Sequence, residues 1–363
     1  MKDKNALGIK QLIRAKPLRG STPSLHYVVP NVNWVLDWVG HYITTEVKSQ
    51  FGLETHLVQS AKGLRRKIVH YGSLWDLAPS LDTAQARDNS VVGTIFHGDK
   101  NDPQFHDALT NVLTKQDLVN KFHTASRIME TRLLNWGIPA KKVVRIPLGV
   151  DLQLFHPNPI TEKKVLRRKL GIPEDTFCIG SFHKDGNGWE EGFEPKLIKG
   201  PDVFLEVISQ LSRRYPLFVL LSAPARGYVK RGLDSFGVPY RHIIEQDYHR
   251  IPRLYQAIDL YLITSREEGG PKGVLESLAS GVPFVGTKVG LVPDVVTSGK
   301  EGLLANSEDV TALAEHVSSL IEQPQLRTNF SKFGLNTIKA YDWPLIAGRY
   351  YHELYQQLLL CDK

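Results

Sequence analysis

The densest chemistry in the sequence lies in ITSREEGGPKGVLESLASGVPFVGTKVG, residues 263–290. An apolar strand runs into Glu268-Gly269-Gly270-Pro271-Lys272-Gly273, and a short helix from Val274 to about residue 280 follows and stops at Gly281. A glycine-bearing turn that feeds a helix N-terminus suits an anion. The first amides of the helix point outward, its dipole places about half a positive charge there, and glycine lets a phosphate approach the backbone. Lys272 adds a point charge. Glu268 before the turn and Glu276 after it repel phosphate, so they make sense only with a ligand that carries hydroxyls beside its phosphates. A nucleotide sugar has ribose on one side and a hexose on the other, and ionised carboxylates accept strong hydrogen bonds from such hydroxyls. The plain alternative is an ordinary strand–turn–helix joint whose acids sit where the helix dipole favours them.

The elements that would position this turn alternate along the whole chain. Short apolar segments at 25–29, 54–58, 66–70, 91–96 and 142–146 read as strands, with a helix over 34–51 whose Val35, Val39, Ile43 and Val47 share a face. The pattern repeats at 177–182, 217–222, 242–244, 259–264, 283–286 and 302–305, with a helix opening at Pro201. Near-continuous apolar strands separated by helices predict parallel sheets covered on both faces. About twelve strands exceed one compact unit of this type. The fold class is therefore α/β, two doubly wound Rossmann-like parallel-sheet domains facing across a cleft. The break is placed in FHPNPITEK (155–163), giving domains 1–156 and 157–340. The aromatic-rich helix 341–363, with Leu345, Tyr351, Leu354 and Leu358 as its apolar stripe, is expected to return to the first domain. Ligands of open α/β sheets bind at the carboxyl ends of the strands, so the cleft is the expected site.

Composition excludes several classes. Of the 363 residues, 42% are hydrophobic and 23% charged, which is globular and not disordered or fibrous. No run approaches the ~20 apolar residues of a membrane span, and no secretory leader is expected from the N-terminus. Cys178 and Cys361 make neither a disulfide framework nor a zinc site, which fits a reducing cytoplasm. The net charge of +7 lies in the first 157 residues, which hold 20 Lys and Arg against 13 Asp and Glu, while the remainder balances at 25 against 25. Six basic residues fall in the first 19, and Arg65, Arg66 and Lys67 form a second cluster. Such patches draw anionic lipid or a phosphorylated acceptor, or simply keep a face solvated. Nucleic acid is not expected as a partner, because no recognition motif accompanies the charge.

The segment Glu268-x7-Glu276, followed by Ser277-Leu278-Ala279-Ser280-Gly281-Val282-Pro283, resembles the donor-site signature of glycosyltransferase family 4, which has the GT-B fold. Phe96-His97-Gly98, Leu148-Gly149-Val150-Asp151 with Phe155, Lys199-Gly200-Pro201-Asp202 and Tyr341-Asp342-Trp343 fall in the family's order. The resemblance is strong over 140–345 and weak over 1–90. It implies retaining sugar transfer from a UDP-, GDP- or ADP-sugar, with no cofactor and no essential metal, to a glycan or lipid-linked acceptor. This would take place in the cytoplasm, at the inner face of the membrane if the basic N-terminus binds anionic lipid. By resemblance, Glu276 binds ribose hydroxyls, Glu268 and His97 meet the donor sugar as the catalytic pair, and Gly270, Pro271, Gly273 and Val274 present backbone to the diphosphate. Lys199 fits the family's phosphate lysine. The family's arginine after the first strand of this domain is absent, and Lys184 is the nearest cation. Asp185–Ile198 reads as an insertion between the two cations. The family's glycine-rich turn after the first strand is replaced by Pro30-Asn31-Val32-Asn33-Trp34, which places Asn31, Asn33 and Trp34 at the acceptor pocket. The rival readings are a nucleotide-sugar epimerase of GT-B fold and a catalytically silent glycan- or membrane-binding subunit. A dinucleotide-binding reading of Gly186-x-Gly188 fails, because Trp189-Glu190-Glu191-Gly192-Phe193-Glu194-Pro195 does not open a pyrophosphate helix.

Overall fold

The computed structural model describes residues 24–29 and 35–360. The expected acceptor residues Asn31, Asn33 and Trp34, the basic segment 1–19 and Cys361 lie outside them.

Two six-stranded, wholly parallel sheets form the molecule. The first contains β1 (Ser24–Val28), β2 (Glu54–Val58), β3 (Ile68–Tyr71), β4 (Ser90–Thr94), β5 (Lys121–Thr124) and β6 (Val143–Arg145), in the order β2-β1-β3-β4-β5-β6. The second contains β7 (Phe177–Ser181), β8 (Leu217–Ser222), β9 (Tyr240–Ile243), β10 (Leu260–Ile263), β11 (Phe284–Thr287) and β12 (Gly302–Ala305), in the order β12-β11-β10-β7-β8-β9. Both are doubly wound, and the strand order of the second reverses between β7 and β10, where a crevice opens at the carboxyl edge. The inner strands are buried on both faces, while the edge strands β2, β6 and β9 are partly exposed. In β4, Val91 packs into one apolar cluster and Val92 into another, as the twofold alternation of a covered strand requires.

Strand β5, absent from the sequence reading, is KFHT. Its Phe122, His123 and Thr124 are all buried, and two polar residues in three conceal a core strand from any hydrophobicity pattern. They are accommodated by a hydrogen-bonded chain. The Tyr355 hydroxyl meets His70 Nδ1 (2.7 Å), His70 Nε2 meets Thr94 Oγ1 (2.7 Å), Thr94 Oγ1 meets His123 Nδ1 (2.9 Å), and His123 Nε2 reaches the Ile146 carbonyl (2.9 Å). Because a carbonyl only accepts, His123 must carry its proton on Nε2. The Thr94 hydroxyl then donates to His123 Nδ1, His70 donates from Nε2, and Tyr355 donates to His70.

Tyr355 belongs to the C-terminal helical segment, which runs through Trp343–Arg349, a π-helical turn Tyr350–Tyr355 and Gln356–Leu360 and packs on the first sheet and on the helix Val35–Phe51. The expected apolar stripe is corrected here. Leu345 is 59% exposed, while Ile346, Ala347, Tyr350, Leu354, Tyr355 and Leu358 are buried. The buried Trp343 sets the inward face, so positions three, four and seven residues on turn inward and Leu345, two residues on, turns out. Tyr351 stacks on Phe51 with ring centroids 4.0 Å apart.

The chain passes between the sheets twice, and the two crossings lie side by side. The Val150 amide donates to the Tyr341 carbonyl (2.9 Å) and the Trp343 amide to the Val150 carbonyl (3.1 Å). Gly149 is required at this joint, because a Cβ there would stand 2.5 Å from the Trp343 ring. Among the described residues no helix is long and apolar enough to cross a membrane.

Candidate functional site

The turn 264–271 leaves the carboxyl end of β10 beside that of β7, at the strand-order reversal. Its root is fixed by buried hydroxyls. Thr264 donates to the Gly200 carbonyl (2.8 Å), and Thr287 donates to the Ser265 carbonyl (2.6 Å). Gly200 adopts φ +63° as the residue before the helix Pro201–Ser212, and a Cβ there would collide with the Thr264 carbonyl. Arg266 then forks onto both oxygens of Asp202 (2.8 and 2.7 Å), clamping the turn to that helix.

This scaffold brings Glu268, Lys199 and His97 together. Glu268 accepts from the Ser265 hydroxyl (2.9 Å) and from Lys199 Nζ (2.7 Å). Burial alone would push its carboxyl up, but the Lys199 ammonium and the His183 ring outweigh it and the net direction is down, so it is ionised at neutral pH. Lys199 is thus the counter-ion of Glu268 on the pocket wall. His97 faces the same pocket from the first sheet, edge-on to Phe105 at 5.3 Å, and neither ring nitrogen has a hydrogen-bond partner among the described residues. Burial and the Lys199 charge lower its pKa and keep it neutral.

The structure corrects the placement of two further residues. The helix begins at Lys272 and runs to Ala279, with Gly281 at φ +69° behind it, so Glu276 lies in its second turn and not in its first. Lys272 is 6% exposed, and its Nζ turns away from the glycine turn to donate to the Tyr248 hydroxyl (2.6 Å), 3.5 Å from Glu276 Oε1. Its i,i+4 spacing to Glu276 draws it there, and burial lowers its pKa against the opposing pull of that carboxylate. Glu276 accepts one hydroxyl on each oxygen, Tyr248 on Oε1 (2.7 Å) and Tyr255 on Oε2 (2.9 Å). No side chain caps the helix at Pro271, and the Val274 amide, expected to face a diphosphate, donates instead to the Pro271 carbonyl (3.1 Å). Val274 is buried beneath the turn, and Gly273 has no room for a side chain over the Tyr261 ring. Gly270 lines the pocket with Lys184 and Lys199.

The pocket encloses about 250 Å³ between the sheets, with Phe96, His97, Trp75 and Gln104 on one wall and Lys184, Lys196, Lys199 and Glu268 on the other. Several participants escaped sequence reasoning. Arg132, on an ordinary-looking helix, forks onto Glu267 across the cleft (2.6 and 3.1 Å). Trp38 stacks on Tyr248 from the opposite domain at 4.8 Å. The doubled acid Glu267-Glu268 was the one visible signal; Lys196 and Tyr248 carried none.

Residues 193–337 match the family model "Glycosyl transferases group 1". The chain is 27% identical over 225 residues to D-inositol 3-phosphate glycosyltransferase of Corynebacterium jeikeium, covering 59% of this chain and 51% of that one. It is 26% identical over 222 residues to the protein of the same name from Xylanimonas cellulosilytica, covering 59% and 51%. The chain thus spans about half the length of the curated relatives it matches. Among solved structures, Anabaena Alr3699/HepE in complex with UDP and glucose superposes with a TM-score of 0.73 at 18% identity, over 93% of this chain and 100% of that one. Sucrose-phosphate synthase from Thermosynechococcus elongatus gives 0.68 at 17% identity, over 91% and 80%. The two-sheet architecture is the GT-B fold, and residues 193–337 are similar to the group 1 glycosyl transferases.

Proposed function

We propose that the protein transfers a hexosyl group, with retention and without an essential metal, from a nucleoside-diphosphate sugar to a hydroxyl of a glycan or lipid-linked acceptor. Residues 157–340 bind the donor and residues 1–156 the acceptor. The observation that carries this reading is the placement of Glu268 and Glu276 before and after an uncapped, glycine-bearing helix start at the strand-order reversal, with Glu268 sharing the pocket wall with Lys184, Lys196 and Lys199. Acids flanking a phosphate cradle suit a ligand with hydroxyls at both ends of a diphosphate.

In this reading the anomeric C–O bond breaks and its electron pair passes to the diphosphate oxygen. Lysines and helix amides, already oriented, stabilise that growing charge. Ionised Glu268 and neutral His97 hold the sugar hydroxyls. Glu276, oriented by Tyr248 and Tyr255, uses its remaining lone pairs on ribose. The acceptor hydroxyl attacks from the face the leaving group vacates, and its proton goes to the departing phosphate oxygen, the nearest base there. The excess positive charge of the N-terminal half favours an acceptor that is itself anionic, in keeping with the inositol phosphate in the relatives' names.

Thermal-shift titration with UDP-, GDP- and ADP-sugars tests the donor, since a ligand specific for the native state raises its melting temperature according to affinity. Stabilisation by at least one is expected, and no stabilisation by any overturns the assignment. With a competent acceptor, EDTA is expected to leave transfer intact. Complete loss restored by Mg²⁺ would overturn the metal-free step.

A further inference from the structure

The segment Asp185–Ile198 enters the function described so far only through Lys196 on the pocket wall, yet the whole of it is firmly built. Its strands close on each other at Gly186 and Pro195, the Asn187 amide donates to the Glu194 carbonyl (2.9 Å), and the Lys196 amide donates to the Asp185 carbonyl (2.7 Å). Asp185 pairs with Arg226 at 3.0 Å with both side chains essentially solvent-free, and Arg226 also donates to the carbonyls of Ser181 (2.7 Å) and His183 (2.9 Å). The guanidinium therefore locks the foot of this hairpin to the carboxyl end of β7. Gly192 packs on Ala225, and Lys230 and Arg231 of the helix Gly227–Phe236 hold the tip through Glu191 (2.8 Å) and the Phe193 carbonyl (3.0 Å).

The hairpin delivers two ammonium groups to one place. Lys184 and Lys196 stand at its two feet, and both line the cleft pocket with Lys199 and Glu268. Lys199 is neutralised by Glu268. Among the described residues, neither Lys184 nor Lys196 has a carboxylate within ion-pair distance; Lys184 Nζ rests 3.9 Å above the Trp189 ring. Three lysines against one glutamate leave this wall with two uncompensated positive charges. The bridging diphosphate of a nucleotide sugar carries two negative ones.

We propose that Lys184 and Lys196, held at a fixed spacing by the hairpin, grip the two phosphoryl groups of the donor, with Lys196 a diphosphate ligand. This inference rests on the donor reading above. One guanidinium can span two phosphate oxygens with its fork, whereas an ammonium is a point charge. A chain without an arginine after β7 therefore needs two lysines, and the insertion supplies the second. The free protein holds these charges under tension. Burial and the neighbouring Lys199 and Lys184 charges lower the Lys196 pKa, and burial lowers that of Lys184. A bound dianion would relieve both.

The test measures calorimetric affinities of the wild type, K196Q and K196R for whichever of UDP, GDP or ADP binds the wild type most tightly, and for the corresponding nucleoside. K196Q is expected to weaken the diphosphate by roughly tenfold or more, the range of a charge-assisted hydrogen bond, and to leave the nucleoside unchanged. K196R is expected to keep most of the affinity. Equal diphosphate binding by K196Q and wild type, or equal weakening of diphosphate and nucleoside, overturns the role of Lys196 while leaving the donor reading in place. Failure of the wild type to bind any of the three overturns the donor reading and this inference together.

Discussion

Glu276 and Glu268 share a spacing motif but are held in different ways, and their replacements should separate accordingly. Glu276 is the common acceptor of two buried tyrosine hydroxyls and the counter-charge of buried Lys272. Glu276→Ala therefore strands a buried ammonium. It is expected to cost roughly 3–5 kcal/mol of stability as well as donor binding, read by urea denaturation and by nucleotide titration. Unchanged values in both would show that the tyrosines do not depend on it. Glu268 reaches the pocket, and among the described residues its carboxylate accepts hydrogen bonds from Ser265 and Lys199. Glu268→Ala is expected to lower kcat on the order of 10²–10³-fold, the scale of losing one oriented group at a reacting centre, with a smaller change in donor affinity. A pure KM effect would make Glu268 a binding residue only.

The buried histidine chain belongs to the elements it joins: β3, β4, β5 and the C-terminal helical segment. Burial drives both imidazoles toward the neutral form, His123 down to about 4 and His70 well below its usual value. In the unfolded chain both titrate near 6.5, so below that pH the unfolded state binds the extra protons. The stabilisation is complete above pH ~6.5 and is lost as pH falls, by about 2 kcal/mol at pH 5 for His123 as its folded value near 4 is approached, with His70 acting in the same direction. Urea midpoints at pH 7.5 and pH 5 should therefore differ, and the difference should shrink in a His70→Gln, His123→Gln double variant. An equal pH response in that variant would locate the acid sensitivity elsewhere. The C-terminal segment should loosen first, since Tyr350 and Tyr355 are its links to these rings.

For the molecule as a whole, the cleft is held by contacts away from the double crossing as well, among them Arg127 with Asp294 (backbone amide to carboxylate, 2.7 Å). Arg132–Glu267 and Trp38–Tyr248 join the two halves beside the pocket. The ion pair is partly solvent-exposed at both ends and contributes no more than about 1 kcal/mol to stability. In the proposed transfer its larger effect is on geometry, because exclusion of water would protect an activated sugar from hydrolysis. Arg132→Ala is expected to leave the melting temperature nearly unchanged, raise the ratio of donor hydrolysis to transfer, and enlarge the radius of gyration in solution scattering. An unchanged scattering curve and hydrolysis ratio would mean that the double crossing and the remaining contacts, Arg127–Asp294 and Trp38–Tyr248 among them, set the domain angle without Arg132.

The inner strands other than β5 were legible from apolar runs because a strand covered on both faces has no polar side to interrupt it, and the edge strands β2, β6 and β9, though partly exposed, each kept enough apolar residues to be read. Strand β5 was not, because its interior polarity is satisfied by partners on β4 and on a helix more than 200 residues away. The turn 268–273 and the helix after it were legible because glycines, acids and a helix start are local facts. The partner of each charge was not. Lys272 faces Glu276 through helical spacing and burial, Lys199 reaches Glu268 across 69 residues, and Lys196 enters the pocket only because Arg226 anchors a hairpin foot. Local propensity is written along the chain, whereas the choice of counter-ion is made by distances that exist only once the two sheets have packed.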